Sequence, residues 1–80
     1  MAWRYGLTRD RVVLKKLRRV RDDIGLSRLD VVIRLGDYQG DLFWPICERT
    51  LQRYEAGQGV PGDRVKCFRR VYGCKERDLR

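Results

Sequence analysis

Histidine is absent from this 80-residue chain, and with it the commonest general base of enzyme active sites. No Ser-His or Cys-His pair can form, and neither a P-loop pattern nor a G-x-G-x-x-G run occurs. The three cysteines lack C-x-x-C spacing, whereas a structural zinc site normally takes four cysteine or histidine ligands. The sequence therefore predicts a protein that is not an enzyme and that uses no metal and no cofactor.

Long apolar runs are absent as well. None approaches the ~20 residues of a membrane span, and no signal-peptide pattern opens the chain. We therefore expect a soluble, cytoplasmic protein with no membrane partner. Apolar residues still make up 42% of the chain, which is enough for one modest core, so we expect a single domain over residues 1–80.

Positive charge is what the sequence has in excess. Nineteen Lys and Arg face eleven Asp and Glu, which gives a formal net charge of +8 and a pI near 10.0. Such an excess in a small domain favours a nucleic-acid partner, although it could also serve solubility alone. A membrane surface is less favoured, because the charges are spread along the chain rather than gathered in one polybasic run.

Apolar residues at helical spacing recur through most of the chain. The first predicted helix begins at Asp10 and stops before Gly25. The second predicted helix follows Ser27, which together with Asp30 resembles a capping box, and it ends at Gly36. The β-branched run 31–33 would also suit a strand, but the cap, the length and the glycine favour a helix. The inner face of the first helix would carry Val13, Leu17, Val20 and Ile24.

Residues 37–45 form an insert that is turn-like at first and apolar at its end. Pro45 suits the first position of a third helix, which would stop at Gly57. A fourth helix would run from about Asp63 to Tyr72, followed by a final turn near the end of the chain. The sequence thus predicts an all-α bundle of four to five helices. The inner face of the third helix would carry Ile46, Cys47, Leu51 and Tyr54.

Two segments of the chain match one family pattern. Residues 17–27, LRRVRDDIGLS, resemble I-x-x-L-R-x-x-x-G-L-S, and residues 50–61, TLQRYEAGQGVP, resemble T-I-S-x-x-E-x-G-x-x-x-P. In both, the chain resembles the helix-turn-helix DNA-binding domains of the Cro and phage-repressor type (XRE-like), and the resemblance covers residues 12–79. It implies a helix-turn-helix whose connection between helices two and three is lengthened. It also implies that the third helix enters the major groove of double-stranded DNA.

The resemblance implies two sets of DNA contacts. Arg can bond guanine, Gln adenine and Glu the cytosine amino group, so the third helix offers suitable base-contacting side chains. A plain solvated helix face is the alternative, above all for its Glu and Gln. The residues expected to contact bases are Glu48, Arg49, Gln52 and Arg53. Arg28 and Thr50 are expected to contact phosphate. Basic arms of other DNA binders contact phosphates or the minor groove, so we expect the same of Arg4, Arg9 and Arg11, which lie in or beside the N-terminal arm (residues 1–9).

Two further pairs of residues have expected roles. Arg21 and Glu55 match family positions that tie the first helix to the end of the third, so we expect a partly buried ion pair that orients the third helix. Phe43 and Trp44, in the insert, either pack over the core or form an aromatic patch for a protein partner or for DNA.

The resemblance implies a transcription regulator, more specifically a repressor of phage, plasmid or mobile-element type. Such a protein would bind DNA as a homodimer and would be nucleoid-associated when bound. The alternative comes from another functional class. It is a small interaction factor that binds RNA polymerase or a toxin and uses the helix-turn-helix as a scaffold.

Overall fold

The computed structural model of the protein describes residues 11–80, and helices account for most of this part of the chain. Two short strands and two 3-10 turns complete it. In chain order the elements are β1 (Arg11–Val12), α1 (Leu17–Ile24), α2 (Arg28–Asp37), a 3-10 turn (Gly40–Leu42), α3 (Glu48–Glu55), β2 (Val60–Pro61), a second 3-10 turn (Gly62–Arg64), α4 (Val65–Tyr72) and α5 (Glu76–Leu79). The predicted all-α bundle is confirmed, with its long connection between α2 and α3. Within residues 11–80, no helix has the length and apolar character needed to cross a bilayer.

Helix α1 begins at Leu17, so the predicted helix is wrong over residues 11–16. Arg11 and Val12 belong instead to β1, which pairs antiparallel with β2. Gly59 permits this close approach, since a Cβ there would lie 2.9 Å from the Cβ of Arg11. Backbone groups that bond a strand partner cannot also bond along a helix, which explains the late start.

The buried residues of the predicted first helix also differ from the expected ones. Leu17 is fully buried as expected, but Val13 and Ile24 are 42% and 46% exposed. Leu14 and Arg21 occupy inner positions instead. A buried arginine needs a partner for its charge, and Arg21 finds one on α3.

Ser27 caps α2 as predicted. Its hydroxyl oxygen accepts a hydrogen bond from the backbone N–H of Asp30 at 3.0 Å, and the Asp30 carboxylate accepts one from the backbone N–H of Ser27 at 2.9 Å. These bonds satisfy donors that have no partner within the first helical turn. The helix buries Val31 and Leu35, one turn apart. The helical interpretation of the β-branched run 31–33 is therefore confirmed.

Hydrogen bonds tie the connection between α2 and α3 to the helices. The backbone N–H of Trp44 donates to the Leu35 carbonyl at 3.1 Å. The Arg64 guanidinium donates to the carbonyls of Asp41 and Phe43 at 3.3 and 3.4 Å. The insert is thus held against the bundle by hydrogen bonds, although its sequence contains turn-forming residues.

Helix α3 begins at Glu48, so the prediction that Pro45 is its first residue is wrong. Its N-cap residue is Cys47, whose backbone is extended, with φ −97° and ψ 167°. Pro45 lies in the irregular stretch before the cap, where its fixed φ suits a non-helical chain. The helix ends at Glu55, and Gly57 follows with a φ of 111°, which few other residues adopt.

The Phe68 ring lies at the centre of the core. It meets Trp44 edge-on at 5.4 Å between ring centroids, Tyr54 edge-on at 6.2 Å, and Tyr72 in a stacked arrangement at 6.0 Å. These edge-on and offset geometries are favourable for aromatic pairs. Rings from the insert, α3 and α4 therefore meet in one cluster. The other fully buried side chains are Leu14, Leu17, Val31, Leu35, Leu51, Val60, Cys67 and Leu79.

Helices α4 and α5 close the bundle. The predicted fourth helix is confirmed, except that a 3-10 turn occupies its first residues. Gly73 ends α4 with a φ of 65°, and a short final helix follows as expected. The carbonyl of Leu79, whose side chain is fully buried, accepts a hydrogen bond from the backbone N–H of Lys16 at 2.8 Å. The end of α5 is thereby joined to the start of α1.

Candidate nucleic-acid interface

Helix α3 has one buried and one exposed face. Leu51 and Tyr54 are buried, whereas Cys47, which was predicted on the inner face, is exposed at the N-cap. Residues four apart lie above one another on a helix, so the exposed residues form two adjacent rows. All four predicted base-contacting residues lie on this face, and they are Glu48, Arg49, Gln52 and Arg53.

Three of these side chains keep their donors available. Among residues 11–80, the side-chain hydrogen bonds and ion pairs of α3 involve only Thr50 and Glu55, apart from the Cys47 cap. Arg49 and Arg53 can each present a planar fork to a guanine edge, and Gln52 can pair with adenine. The fourth residue of the face, Glu48, lies in the first turn, where the helix dipole stabilises a carboxylate without any ligand.

The structure brings Arg21 of α1 and Glu55 of α3 together. Nε of Arg21 donates to Glu55 Oε2 at 2.7 Å, and its Nη2 donates to Oε1 at 3.2 Å, which is a bidentate pair. Nη1 of Arg21 donates to the Leu26 carbonyl at 3.0 Å. The side chains of Glu55 and Arg21 are only 3% and 9% exposed. The hydrogen bond with Glu55 raises the pKa of Arg21, so its guanidinium group stays protonated.

Glu55 also binds a second arginine. Nε of Arg28, the first residue of α2, donates to Glu55 Oε1 at 3.0 Å. One carboxylate therefore joins α1, α2 and the end of α3, which fixes the direction in which the exposed face of α3 points. Arg28 remains one-third exposed and lines an open groove of about 180 Å³ together with Arg18 and Gln52. Its predicted phosphate contact stays a prediction, with its Nη groups the available donors.

Thr50 lies near the start of α3 beside Cys47. The Thr50 hydroxyl and the Cys47 sulfur are 3.3 Å apart. Hydrogen bonding from Thr50 lowers the pKa of the Cys47 thiol, so thiolate forms there more readily than in an ordinary cysteine. The hydroxyl of Thr50 is thus engaged locally, and its contact with phosphate stays a prediction.

The remaining predicted phosphate ligands lie near the N-terminus. Arg11 is exposed on β1, and its Nη1 donates to the Gly59 carbonyl at 3.2 Å. This bond holds the side chain along the loop that follows α3. Arg4 and Arg9 lie outside the described residues, so their predicted roles stay predictions.

The sequence interpretation missed two features of the described residues. One is the hydroxyl of Tyr72, which is buried without a hydrogen-bond partner among residues 11–80 and whose pKa is raised by that burial. The other is a basic surface on α4, formed by Lys66, Arg69 and Arg70. Their spacing around the apolar positions of the fourth helix would have placed them on one exposed face.

Comparison with family models, with curated proteins and with solved structures finds no match for this chain. The helix-turn-helix resemblance therefore depends on the two sequence segments and on the contacts that their residues make. Residues 11–80 contain no group of three Cys, Asp or Glu side chains placed to hold a metal ion.

Proposed function

We propose that the protein is a sequence-specific, double-stranded-DNA-binding transcription regulator with no catalytic activity. The observation that carries this proposal is the exposed face of α3, where Arg49, Gln52 and Arg53 present donors that no described residue uses. These three side-chain types are the ones that bond base edges in the major groove. Glu55, by joining α3 to α1 and α2, supplies the rigid orientation that groove entry needs.

Charge supports the same proposal. The net charge of +8 attracts a polyanion from a distance, and Arg28, Thr50 and Arg11 are the described candidates for contacts to phosphate. In line with the resemblance, we propose a repressor of phage, plasmid or mobile-element type. It would bind two half-sites as a homodimer and reside in the cytoplasm on the nucleoid.

A salt titration against a pool of random duplexes tests this function. We expect a subset of duplexes to bind much more tightly than the rest. Arg49→Ala and Arg53→Ala should each weaken binding to that subset by about tenfold to a hundredfold, because a bidentate base contact is worth ~1–3 kcal/mol. Weak, salt-sensitive binding to the other duplexes should remain.

Arg77→Ala provides the matched control, because Arg77 is an exposed arginine on α5 and its loss changes the net charge equally. This variant should leave the affinity for the preferred duplexes unchanged. The proposal fails if no duplex is preferred, or if Arg77→Ala weakens the preferred duplexes as much as the α3 variants do.

One observation favours the interaction factor as a second candidate. Trp44 packs against Tyr54 and Phe68, whereas its neighbour Phe43 is 47% exposed while Arg64 holds its carbonyl. An exposed aromatic ring on a backbone held by a hydrogen bond suits a protein partner such as RNA polymerase or a toxin. This candidate predicts that purified RNA polymerase or a purified toxin binds the wild type but not Phe43→Ser. It also predicts that neither the wild type nor this variant prefers any duplex in the pool.

A further inference from the structure

A second positive surface lies on α4, separate from the exposed face of α3. Phe68 of α4 and Tyr54 of α3 meet edge-on in the core, with ring centroids 6.2 Å apart. Both helices therefore turn an apolar side inward and a charged side outward. On α4 that side carries Lys66, Arg69 and Arg70.

Beside these cations the insert forms an open groove of about 330 Å³. Two partly buried apolar side chains, Leu42 and Cys74, line it together with the three cations. Its wall is held in place, because Arg64 bonds the carbonyls on either side of Leu42, and the Cys67 thiol donates to the Leu42 carbonyl at 3.6 Å. The groove is thus formed before any ligand arrives.

Three cations outnumber the two carboxylates near the groove, which are those of Asp41 and of Asp78, whose charge acts on Cys74. Asp41, 93% exposed at its side chain, lies 3.9 Å from Lys66 Nζ. Among residues 11–80, no carboxylate lies within 4.0 Å of Arg69 or Arg70. Two guanidinium groups and an ammonium group therefore surround an apolar floor.

We propose that this groove binds an acidic protein segment that carries one apolar side chain. The apolar side chain would lie on Leu42 and Cys74, and the flanking carboxylates would pair with Lys66, Arg69 and Arg70. Arginine clusters bind acidic motifs through charge-assisted hydrogen bonds. A phosphodiester backbone would satisfy the cations but would leave the apolar floor unused, so a peptide fits better. The proposal does not depend on DNA binding, since none of the α3 residues takes part.

Fluorescence anisotropy with two labelled peptides tests this assignment at physiological ionic strength. One peptide alternates Asp and Glu around a central Leu, and the other has Ser in place of the Leu. We expect the Leu peptide to bind about tenfold more tightly, because burying a leucine on an apolar floor is favourable. Bound Leu peptide should also slow alkylation of Cys74, which reports where it lies.

Two triple variants locate the site. One variant combines Lys66→Gln, Arg69→Gln and Arg70→Gln. It should bind the Leu peptide about tenfold more weakly, because it loses three exposed ion pairs. Lys15→Gln, Arg18→Gln and Arg19→Gln remove the same charges from α1 and the turn before it, and they should leave the affinity for the Leu peptide nearly unchanged. Far-ultraviolet circular dichroism checks that both variants fold.

Three outcomes would overturn the assignment. Equal binding of the Leu and Ser peptides, or equal losses in both triple variants, would show general electrostatic attraction. Loss of duplex affinity in the α4 variant alone, with no peptide binding to the wild type, would make the groove a nucleic-acid surface.

Arg49→Ala and Arg53→Ala should leave peptide binding unchanged, so failure of the peptide proposal is distinguishable from failure of the proposed DNA binding.

Discussion

Replacing Glu55 with alanine should destabilise the protein more than any surface substitution. The change leaves the buried Arg21, 9% exposed, with only the exposed carboxylate of Asp22, whose Oδ1 lies 3.5 Å from Nη1 of Arg21. Removing the buried partner of a buried ion pair costs about 3–5 kcal/mol. A chain of 80 residues has a free energy of unfolding of about 4–12 kcal/mol. The variant should therefore lose a large part of its stability.

Two companion variants grade the effect. Glu55→Gln keeps one acceptor oxygen for Arg21 but removes the charge, so we expect a loss of about 1–3 kcal/mol. Arg28→Ala removes a partner that is one-third exposed, and solvent screening limits its contribution to about 1 kcal/mol or less. The expected order of destabilisation is Glu55→Ala, then Glu55→Gln, then Arg28→Ala.

Urea unfolding followed by circular dichroism measures these differences. The double variant Arg21→Met with Glu55→Met adds a sharper check, because apolar residues of similar volume can replace a buried ion pair at little cost. It should be more stable than Glu55→Met alone. The reasoning is refuted if Glu55→Ala stays within about 1 kcal/mol of the wild type, or if the second methionine restores nothing.

Two other outcomes follow from local chemistry. At neutral pH iodoacetamide should label Cys47 well before Cys67, because Thr50 lowers the pKa of the first thiol and burial raises that of the second. Thr50→Val should move the Cys47 labelling profile to higher pH, and an unchanged profile would contradict this cause. The backbone hydrogen bond from Ser27 lowers the pKa of Asp30 in the folded protein. The ionised Asp30 side chain therefore stabilises the fold fully above the ordinary carboxyl pKa, and this stabilisation is lost as the pH falls through the lowered pKa of Asp30. In urea unfolding, Asp30→Asn should therefore be less stable than the wild type at pH 6 and match it in strong acid, whereas a gap independent of pH would contradict this.

The parts of the fold that sequence could predict are those with local causes. The capping box of Ser27 and Asp30 contains all of its partners within four residues, so its pattern was enough to place the start of α2. Gly73 ends α4 with a positive φ, which a glycine after an apolar repeat indicates. The exposed face of α3 follows in the same way from the spacing of Leu51 and Tyr54.

The parts that sequence could not predict depend on distant residues. Helix α1 starts late because Arg11 and Val12 pair with residues 60–61, and nothing near Arg11 indicates that partner. The start of α3 depends in the same way on where the insert packs, and the bond from Trp44 to the Leu35 carbonyl fixes that position. Such contacts override local helix signals.

Arg28 shows why the site itself was only partly predictable. The family pattern predicts that it contacts phosphate, and in the structure its Nε bonds the Glu55 carboxylate, which also binds Arg21. A guanidinium has five donors, so Arg28 can hold Glu55 through Nε while its Nη groups bond a phosphate. The carboxylate that fixes α3 would then also orient a phosphate-binding arginine at the start of α2. Loss of Glu55 should therefore disturb the register on DNA as well as the fold, whereas loss of Arg28 should affect DNA affinity far more than stability.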